Sequence, residues 1–335
     1  MEICVYGAGS IGCYVGGRLA AGGARVVLIG RERLAADIRA HGLHLTDWLG
    51  ADVRVAARDV RFETVPAAAA SADLVLIAVK SAGTAQAGRE LAGVLKPGAL
   101  VVSFQNGLRN AEVLARELPG RTVLTGMVEF NVVNRGQGRF HHGSEGGLDV
   151  KDDAMLAPFL PAFTASGIPL RRHADMVPVM WAKLLLNLNN AINALCGIPL
   201  KQELSQRAFR RCIARAQREC LDLLDHERIV PARLTPLPPH WVPTMLGVPD
   251  AVFRALAGRM LQIDPLARSS MWEDLEAGRA TEVDYLNGEV VKLAKSLDLT
   301  APVNEKLTAL VHAAEKGGRR DWTGPELLAL LTAVR

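Results

Sequence analysis

The stretch "EICVYGAGSIG", Glu2 to Gly12, decides how the first half of the chain folds. An apolar run of strand length is followed at once by Gly7, Gly9 and Gly12 in G-x-G-x-x-G spacing, and then by a helical pattern from Ile11 to Ala21. In that setting the first glycine permits a tight turn, the second lets the backbone approach a pyrophosphate, and the third allows close helix packing. The helix start supplies unpaired N–H donors and positive partial charge. A bare glycine pattern is a weak sign. Here a strand precedes it, a helix follows it, and a second strand ends about 20 residues on, which is the setting of a dinucleotide site. The residues expected to line that site are Gly7, Ala8, Gly9, Ser10, Ile11 and Gly12.

The end of the second strand, "VVLIGRERL", bears on which dinucleotide binds. An NAD site usually places Asp or Glu there to accept from the ribose 2′-hydroxyl, whereas this chain has Gly30, Arg31 and, nearby, Arg33. An arginine instead pairs with a 2′-phosphate through a charge-assisted fork, so NADP (NADPH) is expected, with Arg31 as its contact. The plain alternative for Arg31 is a solvated loop cation.

Working outward, "RVVLI" (25–29), "DLVLIAV" (73–79) and "LVVSF" (100–104) are further near-continuous apolar runs, as parallel strands covered on both faces require. Helical patterns lie between them, as in βαβ units. Two polar loops follow strand ends, where ligands of open α/β sheets collect: "VKS" with Lys80 and "FQNG" with Asn106. Each reaches a ligand or is merely solvated. From "TVLTGMVEFNVV" (122–133) through "GRFHHG" to "GLDV", strands follow one another directly, which suggests an antiparallel or mixed extension.

After about Met176 the strand signal stops. Helical runs are expected at 179–195, 202–226, 250–262, 269–296 and 302–316. The expected fold is therefore α/β, with an N-terminal Rossmann-type dinucleotide-binding domain over 1–174 and an all-helical C-terminal domain over 175–335. The stretch 230–250 has six prolines and an exposed-looking Trp241; it reads either as an ordered surface connection or as a flap shaping a pocket.

Composition excludes several classes. The 335 residues are 49% apolar and 22% charged, with a net charge of +4 and no basic tract, which gives little reason to expect nucleic acid or an acidic membrane as partner. Five cysteines without C-x-x-C spacing read as reduced thiols. No apolar run has the length of a membrane span and no signal-peptide pattern opens the chain, so a cytoplasmic protein is expected. The histidines form no metal-like set with a partner acid, and no metal is expected. A homo-oligomer is compatible with all of this.

The segment "WAKLLLNLNNAINAL", Trp181 to Leu195, carries Lys183, Asn187 and Asn190 at i, i+4 and i+7, on one helical face. Asparagine is a poor filler for an exposed helix face, so its donor and acceptor are expected to be used. Reduction of a ketone would use such a face: hydride from a dihydronicotinamide leaves negative charge on oxygen, and a partly desolvated lysine can protonate it near neutrality. Further on, Ser269 and Ser270 stand where a helix could begin, either as an N-cap or as a carboxylate site. Glu282 lies twelve residues after Ser270 in an otherwise helical pattern, and is otherwise a surface carboxylate.

Taken in order, "GAGSIG", "VKS", "QNG", "WAKLLLN" and "RSSMWEDLEAGRATEVDYLNG" resemble the ketopantoate reductases (2-dehydropantoate 2-reductases), from Met1 to about Ala314. The resemblance implies NADPH-dependent reduction of a 2-keto acid to a 2-hydroxy acid on the route to pantothenate and coenzyme A. It implies two domains with a cleft between them. It casts Lys183 as general acid, Glu282 as the carboxylate for the substrate's hydroxyl end and Ser270 as the holder of its carboxylate. Asn106 and Asn187 become supporting amides, and Arg31 and Lys80 contacts to the cofactor's adenosine phosphate side. Ala267 and Ala191 stand where family members often have asparagine, with Asn190 or Asn193 able to replace the latter. Two other functions fit the residues: reduction of a different 2-keto acid, and a redox sensor that holds NADP without turnover.

Overall fold

The computed structural model describes residues 1–256, 258 and 267–334. It divides into two compact units, Met1–Met176 and Val177–Arg335.

The first unit contains twelve strands: β1 (Glu2–Tyr6), β2 (Arg25–Ile29), β3 (Leu43–Asp47), β4 (Asp52–Val55), β5 (Arg61–Glu63), β6 (Leu74–Ile77), β7 (Leu100–Ser103), β8 (Thr122–Val128), β9 (Val132–Gly136), β10 (Arg139–His142), β11 (Leu148–Lys151) and β12 (Leu170–His173). Eight form one sheet in the order β12-β11-β8-β7-β6-β1-β2-β5. The run from β5 to β8 is parallel, and β11 joins β8 antiparallel. This is the doubly wound order with β1 at the centre, and the direction of winding reverses between β1 and β6, where such sheets open a crevice at their carboxyl ends.

The expected mixed extension is present, but it is divided. The run 122–133 does not continue as one strand: it breaks after Val128, and β9 and β10 pair with β3 and β4 in a separate four-stranded sheet, β4-β3-β10-β9. The helix Ser10–Ala21 touches both sheets. A Cβ on Gly16 would meet Leu28 Cδ2 at 2.4 Å, and one on Gly17 would meet Leu43 and Leu45 at 2.8 Å, so the glycine pair lets one helix lie closely on two surfaces.

In the second unit every regular element among the described residues is helical: Val177–Asn187, Asn189–Cys196, Leu200–Ser205, Arg207–His226, Val242–Leu246, Asp250–Leu256, Ser270–Glu276, Asn287–Ser296, Pro302–Glu315 and Gly324–Ala333, with short 3₁₀ turns between some of them. The amphipathic helix Arg207–His226 is central and buries Phe209, Ile213, Ala216, Cys220 and Leu224 at i+3 and i+4 steps.

Three expected helices are interrupted. The run 179–195 yields at Leu188, where neither Gly nor Pro stands; instead the Leu185 carbonyl accepts from Gln217 Nε2 at 3.0 Å, a side chain entering the helical ladder. The run 202–226 breaks at Gln206, whose backbone is extended. The run 269–296 is broken between Glu276 and Asn287, so Glu282 stands not in a helix but at the start of the 3₁₀ turn Val283–Tyr285. Part of the expected run 250–262 lies outside the described residues. The last helix, Gly324–Ala333, was not anticipated, although Thr323 and Glu326 form a capping box that announces it.

The proline-rich stretch is an ordered connection. Ala232 N–H donates to Pro178 O at 2.9 Å, and the fully buried Arg210 donates to the carbonyls of Leu204, Leu246 and Val248 at 2.8–3.1 Å. The Arg210 guanidinium also stacks on Phe253 and lies 2.9 Å from Asp250 Oδ1. The stretch closes an apolar pocket over the helix Val177–Asn187, where Leu234, Pro239 and Val242 face Ala182, Leu185 and Leu186. Trp241 is exposed.

Candidate active site

At the end of β1 the chain turns through Gly7 with φ +94°, a conformation a side chain resists, and a Cβ there would meet Val79 N at 2.5 Å. The amides of Gly7 and Ala8 both donate to Ile29 O, which ties the loop to the end of β2. Gly12 is equally confined: a Cβ would lie 2.8 Å from Gly7 O and 3.1 Å from Val5 Cγ1.

Gly9 differs from both. Its φ is −91°, which any residue adopts, and the nearest atom to an added Cβ is Gly7 O at 3.9 Å. No protein atom requires glycine there among the described residues, and its absence of a side chain leaves the backbone open to an approaching group. The helix that begins at Ser10 fits an anion: it has no side-chain cap and no acid in its first turn. Ser10 and Ile11 carry two of its first amides.

At the end of β2, a Cβ on Gly30 would meet Phe62 Cζ at 2.9 Å and Ala8 O at 3.0 Å, so a side chain at the position where an NAD site carries its acid would press on both. Arg31 follows as the exposed first cap of the helix Glu32–His41, and Arg33 is exposed beside it. An arginine pair without an acid at the ribose position suits a phosphate better than a hydroxyl.

The two polar loops are joined by a network that sequence reasoning missed. Lys80 is exposed at the head of the turn Ser81–Gly83, and Asn106 is half-buried beside Gly107, whose φ is +87°. Behind them Ser81 Oγ donates to Asn106 O at 2.7 Å, Thr84 Oγ1 to Asn110 Oδ1 at 2.8 Å, and Gln105 Nε2 to Thr84 Oγ1 at 2.7 Å and Val79 O at 3.0 Å. Ser81, Thr84, Gln105 and Asn110 are all buried. Four polar residues in two segments separated by a helix and a strand are the available signal; their pairing is not.

In the second unit Lys183 and Asn187 share the helix Val177–Asn187, one turn apart and half-buried, each with a polar partner. Asn190 lies beyond the break at Leu188, on the helix Asn189–Cys196, and is half-buried; its carbonyl accepts from Ser269 Oγ at 3.3 Å. Ser269 is the N-cap, its Oγ accepting from Trp272 N–H at 3.1 Å, while Ser270 is exposed at the first position of that helix. Ala267 stands two residues earlier, its carbonyl accepting from Leu200 N–H at 2.9 Å. Glu282 is half-buried and is held by its neighbours: Thr281 N–H donates to Glu315 Oε1 at 2.8 Å, and Glu282 O accepts from Tyr285 N–H at 3.0 Å.

Ala191 and Asn193 are fully buried, so neither occupies an open face. The five cysteines are buried and unlinked, and burial pushes Cys4, Cys196 and Cys212 up to about 12. Among the described residues no group of three or more His, Cys, Asp or Glu is placed to hold a metal ion, and no helix is long and apolar enough to cross a membrane.

Comparison with known proteins gives the family. Residues 3–153 match the family model described as ketopantoate reductase PanE/ApbA, and residues 175–315 match its C-terminal counterpart. A 2-dehydropantoate 2-reductase of Halobacterium salinarum is 32% identical over 95% of this chain and 100% of its own length. A solved PanE/ApbA family ketopantoate reductase from Ralstonia eutropha JMP134 superposes with a TM-score of 0.80 at 31% identity, covering 95% of this chain and 99% of that one. D-mandelate dehydrogenase, solved with NADH and anilino(oxo)acetate, shares the fold at a TM-score of 0.77 and 20% identity, covering 95% of this chain and 99% of that chain. The glycine loop, the doubly wound sheet and the helical second unit thus belong together: the chain is a member of the PanE/ApbA ketopantoate reductase family.

Proposed function

We propose that this chain reduces 2-dehydropantoate to pantoate with NADPH, in the cytoplasm, as a step toward pantothenate and coenzyme A. The observation that carries the proposal is the open face at Gly9 above an uncapped, acid-free helix start, in a chain that belongs to this family throughout. Gly7 to Gly12 hold the pyrophosphate of the cofactor, Arg31 pairs with its 2′-phosphate, and Lys80 and Asn106 contact it from the neighbouring loops. When bound, the reduced nicotinamide supplies the hydride.

The rest is done by the protein's own side chains. Lys183 donates the proton to the oxygen on which negative charge grows, which is general acid catalysis worth about 10²- to 10⁴-fold. Asn187, one turn along, orients that lysine or the oxygen. Ser270 holds the substrate carboxylate, Glu282 accepts from its hydroxyl end, and Asn190 frames the same helix break. Ala191 and Ala267, where the family resemblance implies asparagine, favour a second reading in which another 2-keto acid is the preferred substrate.

Steady-state assays with NADPH across a panel of 2-keto acids separate the two: 2-dehydropantoate should exceed the others in kcat/KM by a large factor. Lys183→Ala should lower kcat by about 10²-fold or more while NADPH still binds. An unchanged kcat in that variant would remove Lys183 from the chemistry and leave a cofactor-binding protein without turnover as the better account.

A further inference from the structure

Glu203 is a glutamate with no exposed surface, on a short helix that sequence reasoning assigned no role. Its Oε2 accepts from Asn193 Nδ2 at 2.6 Å. The same Nδ2 donates to Ile198 O at 2.9 Å, and Asn193 Oδ1 accepts from Ser269 N–H at 2.9 Å. Asn193 is itself fully buried and Ser269 nearly so. A leucine at position 203 would pack without desolvating a polar group; what a carboxyl supplies instead is one directional acceptor.

That direction matters because the two ends of an amide are not equivalent. With Oε2 and Ile198 O both facing it, the Asn193 nitrogen is forced toward Glu203, and the oxygen is thereby turned to Ser269 N–H. The reversed amide would set its oxygen against the Ile198 carbonyl and its N–H against the Ser269 N–H, neither of which can change role. Ser269 in turn caps the helix on which Ser270 is the first residue, and its Oγ reaches Asn190 O. The other titratable groups that sense Glu203 are the buried thiols of Cys196 and Cys212.

We infer that Glu203 is a positioning residue: through Asn193 it sets the orientation of Ser269 and so the placement of Ser270 for the keto-acid carboxylate. The inference rests on the substrate role proposed for Ser270.

The test compares Glu203→Leu, which removes the acceptor, with Glu203→Gln, which retains one. In the full-length protein, Glu203→Leu should speed hydrogen–deuterium exchange across 267–273 and raise KM for the keto acid about tenfold, with kcat and the NADPH KM within about threefold of the parent. Glu203→Gln should restore both. If Glu203→Leu does not fold, Asn193→Ala removes the same link with the carboxyl in place.

Unchanged exchange across 267–273 overturns the positioning role whatever the substrate. Faster exchange with an unchanged keto-acid KM overturns its connection to Ser270. A parent enzyme that reduces none of the keto acids defeats the substrate reading and that connection with it, while exchange still decides what Glu203 holds.

Discussion

The three loop glycines make a prediction in which stability and cofactor affinity move apart. Gly9 is the N-cap of the helix Ser10–Ala21 and has 3.9 Å of clearance around an added Cβ. Serine is a better N-cap than glycine by a few tenths of a kcal/mol, its Oγ accepting from the amides of Ile11 or Gly12. Gly9→Ser should therefore melt at or slightly above the parent temperature. The same hydroxyl occupies the donors and the space a pyrophosphate needs. Charge-assisted hydrogen bonds are worth about 1.5–3 kcal/mol each, and 1.4 kcal/mol is about tenfold, so NADPH affinity should fall by about 10- to 100-fold.

Gly12→Ala is the control of opposite sign. Its Cβ would sit 2.8 Å from a backbone oxygen, Gly7 O, which cannot swing away. Overpacking costs about 1–3 kcal/mol against a helix-propensity gain of about 1 kcal/mol, so this variant should lose stability. Fluorescence titration with NADPH and thermal melts, run on both variants, read the two quantities separately. Parent-like NADPH affinity in Gly9→Ser would refute the assignment of this loop to the pyrophosphate.

Other outcomes are expected elsewhere in the molecule. Arg31→Asp should weaken NADPH binding and narrow its advantage over NADH, and an unchanged ratio of the two dissociation constants removes Arg31 from the site. Arg210→Met should leave the carbonyls of Leu204, Leu246 and Val248 without their donor and cost about 3–5 kcal/mol by chemical denaturation, as loss of a buried charged partner does; a loss below about 1 kcal/mol would show that the 246–253 segment is held otherwise. Burial pushes the Glu203 carboxyl up to about 8 from an ordinary value near 4.5. The folded state then holds a proton that the unfolded state has released, so the group lowers stability progressively as pH rises between those two values, and the penalty stays constant above about 8. Glu203→Gln should gain stability over the parent through that window, by a few kcal/mol at pH 9 and almost nothing at pH 4. A pH-independent difference would show that this carboxyl titrates normally.

What was legible in the sequence was local. The strand, glycine turn and helix of residues 2–21 are contiguous, and the parallel strands are covered on both faces, so each announces itself by its own residues. The small sheet did not, because "LHLTD" and "DVRV" are short and half-polar, pair only with each other locally, and become part of a sheet when residues 139–142 join β3 about a hundred positions later. The break at Leu188 was illegible for the same reason: its cause is Gln217, on another helix. The capping box of Thr323 and Glu326, by contrast, is local and legible in the sequence.

The asparagines of 187–193 show how far residue type alone can carry a site. Four amides in one apolar segment signal that polar partners are near, and they do not signal which. Asn187 stays one turn from Lys183. Asn190 contributes its backbone carbonyl to Ser269, Asn189 buries an Oδ1 that has no partner among the described residues, and Asn193 is consumed by Glu203 and the Ser269 amide. Periodicity placed Asn190 on the face of Lys183 because it assumed an unbroken helix. Beyond the break where Gln217 takes the Leu185 carbonyl, the Asn190 carbonyl and Asn193 Oδ1 both accept from Ser269, so the segment that follows the lysine-bearing helix is tied to the residue that caps the helix of Ser270.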